Sequence, residues 1–280
     1  MADAIQTLPN TKNDLIVAMV QKELIARSVV APLVTDLSAF AIKGSKSFNV
    51  PKLTSFTVAN RAFGAAQDAT ALVDSFDQIE LNINAYIAWV EDHADIFQST
   101  IDYRMIASQR AASAHAKYLD TQVINGLVAA AHNAVGAGTD DISKDFFLEM
   151  RKGLLENDAD LSKLKFVASI DQESKLLAIN DFVRADAYGT SNIPNGVIGR
   201  LYGVPVYISN ILTGQQCLMF DTDGYGLALQ QAPNMSEQNA NQYGSKGVRV
   251  AIDQVFGHGG LQLGEKSVGA TESPLIIKLN

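Results

Sequence analysis

Few residues in this chain of 280 residues have the types and spacing that enzyme chemistry requires. Ser162 and Lys165 match the S-x-x-K spacing of some acyl-transfer enzymes, but the companion motifs of those enzymes are missing. The GHGG run at 257–260 is similar to an oxyanion loop, yet no G-x-S-x-G nucleophile motif accompanies it. We therefore interpret Ser162 and Lys165 as structural residues, and the glycine run as a β-bulge in a long strand.

Metal ligation and acid–base catalysis also have weak candidates. Asp92, His93 and Asp95 could in principle form an acid–base or metal cluster, but we interpret them as a solvated acidic turn at the start of a helix. Asp221 and Asp223 resemble the opening of a calcium loop, but a tyrosine occupies the position of the third acid, which favours a simple turn. No two histidines have the i, i+4 spacing of a zinc-binding helix; the four are His93, His115, His132 and His258. We expect no metal and no cofactor.

Charge and composition narrow the function class. The net charge of −8 argues against a nucleic-acid reader, which would carry a basic face. Cys217 is the only cysteine, so no internal disulfide can form and a reducing compartment fits. Residues 1–12 include Asp3 and lack an apolar core segment, so we expect no secretory signal. No apolar run is long enough for a membrane helix.

One long strand is predicted from Phe76 to Val90. Every second residue there is apolar, which is typical of a strand with one buried face; the set is Ile79, Leu81, Ile83, Ala85, Ile87 and Trp89. The preceding residues 61–75 are small and polar. We interpret 46–90 as a β-hairpin arm and expect a neighbouring subunit to cover its apolar face.

A long helix is predicted from Ile101 to His132, because this stretch contains no proline and a single glycine. A helix of about 33 residues would be roughly 50 Å long. Ser99 and Asp102 have capping-box spacing. A narrow apolar stripe runs along the segment: Ile101, Met105, Ala112, Ala116, Leu119, Val123, Leu127 and Ala130.

The remaining segments mix helix and strand without regular βαβ alternation, which predicts an α+β fold. We expect a second helix at 143–157 and strands at 165–170, 204–208, 217–220, 248–256 and 275–279. Pro205 favours an edge position or a strand end. The segment from Pro233 to Ser245 is polar and predicts a loop.

The order of these parts resembles the major capsid protein of tailed bacteriophages, whose coat fold is shared with encapsulin shells and herpesvirus capsid floors. The first two stretches that carry the resemblance are the arm at 46–90 and the alanine-rich segment DIFQSTIDYRMIASQRAASAHAKYLDTQVINGL at 95–127. The other two are KFVASIDQESKLLAIN at 165–180, followed by GVIGRLYGVPVYISNIL at 196–212, and VRVAIDQVFGHGGLQLGEKSVG at 248–269.

The resemblance implies a phage major-capsid-type fold with an N-terminal arm, an extended β-hairpin loop, a long spine helix, and peripheral and axial domains. The implied boundaries are 1–40 for the arm, 41–90 for the extended loop, 91–160 for the peripheral domain with its spine helix at 100–133, 161–234 for the axial domain, and 235–280 for return strands of the peripheral domain. Candidate assembly residues lie in the extended loop: Phe48, Pro51, Phe56, Arg61, Phe63 and Gly64.

The function that the resemblance implies is structural. Copies of the chain would self-assemble as hexamers and pentamers into an icosahedral shell that encloses phage double-stranded DNA without sequence-specific binding. Portal, scaffold and decoration proteins are further expected partners; assembly is expected in the host cytoplasm and the product in the virion, with no membrane involved. Two alternatives stay open: an encapsulin-like cargo compartment, and a cytosolic enzyme with a site around Asp92, His93 and Asp95.

Overall fold

Three sheets and one long helix dominate the part of the chain that the computed structural model describes. That part comprises residues 28–53, 60, 63, 74–92, 103–131, 133–136, 140–179, 183–184, 197–239, 247–262 and 276–279. The helices are α1 (Tyr103–Ala130), α2 (Lys144–Leu155) and α3 (Glu173–Leu177). The strands are β1 (Thr35–Asp36), β2 (Ser47–Leu53), β3 (Asp74–Glu80), β4 (Ile83–Asp92), β5 (Asn133–Val135), β6 (Leu164–Ser169), β7 (Val183–Arg184), β8 (Val197–Leu201), β9 (Val204–Ser209), β10 (Cys217–Asp221), β11 (Tyr225–Asn239), β12 (Gly247–Gly260) and β13 (Ile276–Leu279).

A seven-stranded sheet forms one half of the fold, in the order β5-β13-β10-β6-β9-β8-β7. Its central strands β6 and β10 are buried along nearly their whole length, as their continuous apolar sequences predict. Helix α2 packs on this sheet through Phe147, Met150 and Leu154, and the rings of Phe147 and Phe166 meet edge to face at 5.0 Å. The Ser143 side chain caps α2 by accepting a hydrogen bond from the Phe146 N–H, at the predicted helix start.

A four-stranded sheet forms the other half, in the order β1-β11-β12-β4. Its long strands β11 and β12 are antiparallel, and α1 packs across β12. The largest core cluster joins this sheet to α1 and to one face of the seven-stranded sheet; it includes Leu119, Val123, Leu127, Val167, Phe220, Tyr225 and Phe256.

The third sheet is a ribbon of two strands, β2 and β3, in antiparallel register from Ser47–Glu80 to Leu53–Asp74. We call the Ser47–Glu80 end its base and the Leu53–Asp74 end its far end. Near the base, Phe48 lies opposite Ile79, and both contribute to a small cluster with Leu37 and Leu261. The base is therefore packed on the body of the subunit.

The alternation from Phe76 to Val90 is confirmed, but the prediction of a single strand is wrong. The chain leaves β-structure at Leu81 and Asn82, so β3 belongs to the ribbon and β4 to the four-stranded sheet. The expectation that a neighbouring subunit covers the apolar face is also wrong for the residues nearest the break. Ile79, Leu81 and Ala85 are buried within this chain, because they pack into its own core clusters.

Helix α1 covers 28 residues, which corresponds to a length of about 42 Å. It ends before the predicted limit, because Asn133 already begins β5, which pairs with β13. The apolar stripe is confirmed from Ala112 to Leu127, whereas Met105 is 43% exposed. Ser99, Asp102 and Ile101 lie outside the described residues.

Of three smaller predictions, one agrees with the structure and two need correction. Pro205 lies at the second residue of β9, close to a strand end as predicted, although β9 is an interior strand. The ladder with β6 starts only at Val206, so the missing N–H interrupts no bond to β6. The predicted loop at 233–245 begins as strand, since β11 continues to Asn239 in register with β12. The prediction of a bulge at 257–260 is wrong, because these residues pair with 225–228 in unbroken register. The register shifts instead lie in β11, between Leu229 and Asn234.

The α+β prediction is confirmed by the mixture of α1, α2 and the three sheets. The segment 235–280 was expected to contain return strands of one peripheral domain. Its described strands lie in two different sheets. Strand β12 belongs to the four-stranded sheet, and β13 pairs with β10 and β5 in the seven-stranded sheet.

Candidate assembly interface

The residues with enzyme-like spacing serve local structure. The Ser162 hydroxyl donates a hydrogen bond to Asp160 Oδ1 at 2.8 Å, and the Ser162 N–H donates to the same oxygen. Lys165 sits in β6, where burial and the nearby Arg200 lower the pKa of its ammonium group. The GHGG residues continue β12 and pair with β11. Gly257 is required there, because an added Cβ would lie 2.1 Å from the Glu80 carbonyl oxygen.

The turn at Asp221 is built from its own hydrogen bonds, as predicted. The fully buried Asp221 carboxylate accepts bonds from the N–H groups of Asp223 at 3.1 Å and Asp160 at 3.3 Å. Asp223 forms an ion pair with Lys163, and this carboxylate raises the pKa of the Lys163 ammonium group. Both carboxylates therefore have structural partners.

The proposed acid–base cluster is only partly described. Asp92 is the last residue of β4 and lies opposite Gly247, whereas His93, Asp95 and also His132 lie outside the described residues. Within the described ranges, no group of three or more His, Cys, Asp or Glu side chains could hold a metal ion. Burial raises the pKa of the Cys217 thiol to about 12. No helix in the described part is long and apolar enough to cross a membrane.

A single carboxylate on α1 holds the segment that follows the N-terminal 27 residues. Asp120 is 4% exposed; its Oδ1 accepts bonds from Ser28 Oγ at 2.6 Å and from the Ala31 N–H at 2.9 Å. Its two oxygens also accept the Val29 N–H at 2.7 Å and the Val30 N–H at 3.2 Å. The carboxylate thus caps the short 3₁₀ turn at Ala31–Leu33, and it holds residues 28–31 against α1.

Near the C-terminal end of α1, a polar pair of the four-stranded sheet lies against the helix. Tyr225 Oη lies 2.6 Å from His258 Nδ1, and both side chains face Gly126 of α1. Burial raises the pKa of the Tyr225 hydroxyl and lowers the pKa of His258, so the pair is neutral. The close approach of helix and sheet at this point depends on the missing side chain of Gly126.

An ion-pair network binds the first turn of α1 to the four-stranded sheet. Arg104 donates to Glu91 Oε2 of β4 at 2.7 Å and to Glu237 Oε1 of β11 at 2.7 Å. The indole N–H of Trp89 donates to Glu91 Oε1 at 2.9 Å. Because Arg104 and Glu91 are largely shielded from water, this network holds α1, β4 and β11 in a fixed arrangement.

The far end of the ribbon differs from its base in that its apolar side chains are uncovered. Pro51 and Phe76 lie opposite each other on the outward face; Pro51 is exposed and Phe76 is 60% exposed. Phe63, between β2 and β3, is fully exposed. Large apolar side chains that a monomer leaves in water are typical of a protein–protein contact.

The six predicted assembly residues thus have different surroundings. Phe48 is half-buried and stacks on Phe40 with ring centroids 6.4 Å apart, so it contributes to the base of the ribbon. Pro51 and Phe63 are exposed. Phe56, Arg61 and Gly64 lie outside the described residues.

Sequence reasoning missed Phe76 and Asp120. Phe76 lies on the polar face of the alternating strand. An aromatic residue on a face that is otherwise polar could have been predicted as a contact residue. Asp120 had no comparable signal, because its partners lie about 90 positions away in the chain.

Comparison with known proteins agrees with this arrangement. The family described as Phage capsid protein matches residues 37–257, which is most of the chain. No match was found among curated proteins.

Solved structures show the same fold at low identity. A Mycobacterium phage Che8 structure is 20% identical with a TM-score of 0.70 and covers 91% of this chain and 92% of that chain. The capsid of Ralstonia phage GP4 is 12% identical with a TM-score of 0.68, covering 91% and 89%. A virus-like particle from Pyrococcus furiosus is 11% identical with a TM-score of 0.64, covering 96% and 99%.

Because the family match is to phage capsids, a cellular cargo compartment is not favoured. The chain belongs to the phage capsid protein family and is a major capsid protein that forms the phage shell.

Proposed function

We propose that copies of this capsid protein assemble as hexamers and pentamers into an icosahedral shell, with the extended loop 41–90 as a principal contact. The observation that carries the proposal is the uncovered far end of the β2–β3 ribbon. The candidate contact residues beyond the base are Pro51, Phe56, Arg61, Phe63 and Gly64, to which the structure adds Phe76, whereas Phe48 belongs to the base.

The ribbon suits this role because its two ends have different environments. Phe48 and Ile79 at the base pack on the body, so the direction of the ribbon is set within the subunit. At the far end, Pro51, Phe63 and Phe76 gain burial only when another molecule covers them. Burial of a phenylalanine side chain contributes on the order of 1.5–3 kcal/mol, and a shell repeats the contact in every subunit.

The wider assignment follows the family resemblance. The proposed division is an arm at 1–40, the loop at 41–90, a peripheral domain at 91–160 with 235–280, and an axial domain at 161–234. The net charge of −8 suits a wall that confines double-stranded DNA without binding it. The proposal includes portal, scaffold and decoration proteins as partners, assembly in the host cytoplasm, and no catalytic activity.

The test replaces exposed aromatic residues at the far end of the ribbon. Phe63→Ser and Phe76→Ser remove side chains that contribute little to the isolated subunit, so its melting temperature should stay unchanged while shell formation falls at least about tenfold. Leu161→Ser, in a turn where Leu161 is 38% exposed, is the matched control and should assemble normally. Assembly is measured by sedimentation velocity and negative-stain microscopy.

Either of two results would overturn the proposal. One is a wild-type protein that stays a monomer or dimer at all concentrations. The other is shells of normal yield from the combined Phe63→Ser and Phe76→Ser variant, since the ribbon would then make no contact of consequence.

A further inference from the structure

Strand β4 is the last strand of the four-stranded sheet, and within the part of the chain that the structure describes one of its backbone edges has no partner strand. Its ten residues pair with β12 without a bulge, from Gly247–Asp92 to Phe256–Ile83. On the other side, no strand in the described part of the chain pairs with it. Outward N–H and C=O groups along such an edge can hydrogen-bond to a further strand.

The other sheet edges carry features that disfavour pairing. Strands β1, β5 and β7 end their sheets with only two or three residues each. The stretch of β11 beyond β1 contains Pro233, Glu237 and two register shifts. In the ribbon, β2 carries Pro51, and β3 carries Asp77 and Glu80. Proline, charges and bulges are the usual means by which proteins keep an edge from joining another chain.

Strand β4 has none of these protections over Ile83–Val90, which contains no charge and no proline. The outward side chains of this stretch are exposed, among them Tyr86 at 71% and Val90 at 49%. The edge is therefore long, regular and neutral, which are the properties that favour addition of a strand.

Membership of the phage capsid family indicates which molecule supplies that strand. Copies of a chain with a net charge of −8 repel one another, so they meet most favourably through uncharged elements. A subunit of a shell also has other copies beside it at high effective concentration. We propose that the open edge of β4 receives an extended strand from a second copy of this chain, which continues the four-stranded sheet across a subunit boundary. This proposal rests on the proposed assembly function.

Amide hydrogen exchange of the wild-type protein tests the edge directly. In the unassembled subunit, the amides of Ile83–Val90 that do not bond to β12 should exchange quickly. In the shell they should exchange at least about tenfold more slowly, because each gains a hydrogen bond. Equal exchange in both states would overturn the proposal.

A pair of substitutions separates the edge from the face of the sheet. Ala88 and Ala251 lie opposite each other on β4 and β12, so they share one face of the sheet. Ala88→Lys places a charge at the edge and should reduce the yield of shells at least about tenfold. Ala251→Lys lies one strand further in and should assemble normally. An equal loss in both variants would mean that the face makes the contact, and would overturn the proposal.

The outcomes distinguish this inference from the proposed assembly function. Wild-type shells with unprotected β4 amides would remove the edge contact and leave the assembly function standing. A wild-type protein that forms no shells would overturn both. Protection that arises only when a different protein is added would also contradict the choice of a second copy.

Discussion

Among the described residues, Asp120 is the side chain of α1 that hydrogen-bonds to residues 28–31. Its carboxylate accepts four hydrogen bonds from Ser28, Val29, Val30 and Ala31 while it is nearly excluded from water. A carboxylate at a mid-helix position adds nothing to the stability of the helix itself. The presence of Asp120 is therefore explained by the hydrogen bonds that it accepts from residues 28–31. The residue fixes the position of residues 28–31 on α1.

Asp120→Ala should lower the free energy of unfolding by about 3 kcal/mol, because it leaves several buried donors without an acceptor. Asp120→Asn should cost less, about 1–2 kcal/mol, since only the donor at Val29 would face an amide N–H₂. Urea unfolding of the unassembled protein measures both. The neighbouring Thr121→Ala should change stability by under about 0.5 kcal/mol, and a comparable loss in that control would contradict the assigned role.

His115 and His258 make stability depend on pH. Burial lowers the pKa of both side chains below the ordinary value of 6.5. Between the lowered pKa and 6.5, the unfolded chain binds more protons than the folded one, so stability is complete above 6.5 and decreases as the pH falls below it. A hydrogen bond to the Ile252 backbone and the charge of Asp253 oppose the shift at His115.

The melting temperature should therefore fall as the pH is lowered from about 7.5 to about 5.5. The double variant with His115→Gln and His258→Gln should show a flatter profile over the same range, because glutamine does not titrate. Differential scanning calorimetry of the unassembled protein gives both profiles. Identical slopes in the wild type and the double variant would show that other groups cause the pH dependence.

At the scale of elements, the contact of α1 with the four-stranded sheet depends on Gly126. A Cβ at this position would lie 1.8 Å from Tyr225 Oη and 2.8 Å from His258 Nδ1. Both side chains are buried and hydrogen-bonded to each other, so neither can move aside without losing that bond.

Gly126→Ala should reduce the free energy of unfolding by about 1–3 kcal/mol, even though alanine raises helix propensity by about 1 kcal/mol. Gly153→Ala in α2 is the matched control. Its Cβ would meet only the end of the Ile277 side chain, at 2.8 Å, and that side chain can rotate. The control should therefore be neutral or slightly stabilising in thermal melts; a gain in stability in Gly126→Ala would contradict the close packing.

Periodicity in the sequence was enough to identify the main elements but not the way they are joined. Strand β4, α1 and α2 follow from period-2 and period-3.6 patterns, which are local. The break at Leu81 and Asn82 could not be predicted, because the alternation continues through it while the chain changes sheets. Strand β11 was missed beyond Pro233 because its polar residues are held by pairing with β12, a contact set by distant sequence.

For the candidate interface, the sequence likewise indicated the region of the chain but not which of its side chains are exposed. The resemblance of the arm at 46–90 indicated a contact region, and Pro51 and Phe63 within it are exposed. The base residue Phe48 proved to be an internal contact, because its partners Phe40 and Ile79 are brought to it by the fold. The open edge of β4 depends on which strands pair, and that information is absent from the local pattern.

At the scale of the whole molecule, net charge opposes assembly. Every copy carries a net charge of −8, so association must overcome repulsion between like charges. Raising NaCl from about 0.1 M to about 1 M shortens the Debye length from about 10 Å to about 3 Å, which removes most of this repulsion. The rate of shell formation, followed by light scattering, should rise several-fold over this range. Sucrose at matched osmolality should have a smaller effect, and a rate that falls with salt would indicate contacts based on opposite charges.

The position of β13 has a consequence for synthesis of the protein. Residues 276–279 form an interior strand, between β5 and β10, although they come more than 50 residues after β10 in the chain. A nascent chain therefore cannot complete the seven-stranded sheet until these residues have left the ribosome. Interrupted translation products would keep the edges of β5 and β10 unpaired, and cellular proteases could remove them before they enter a growing shell. We therefore expect chains truncated before β13 to be left out of the particle.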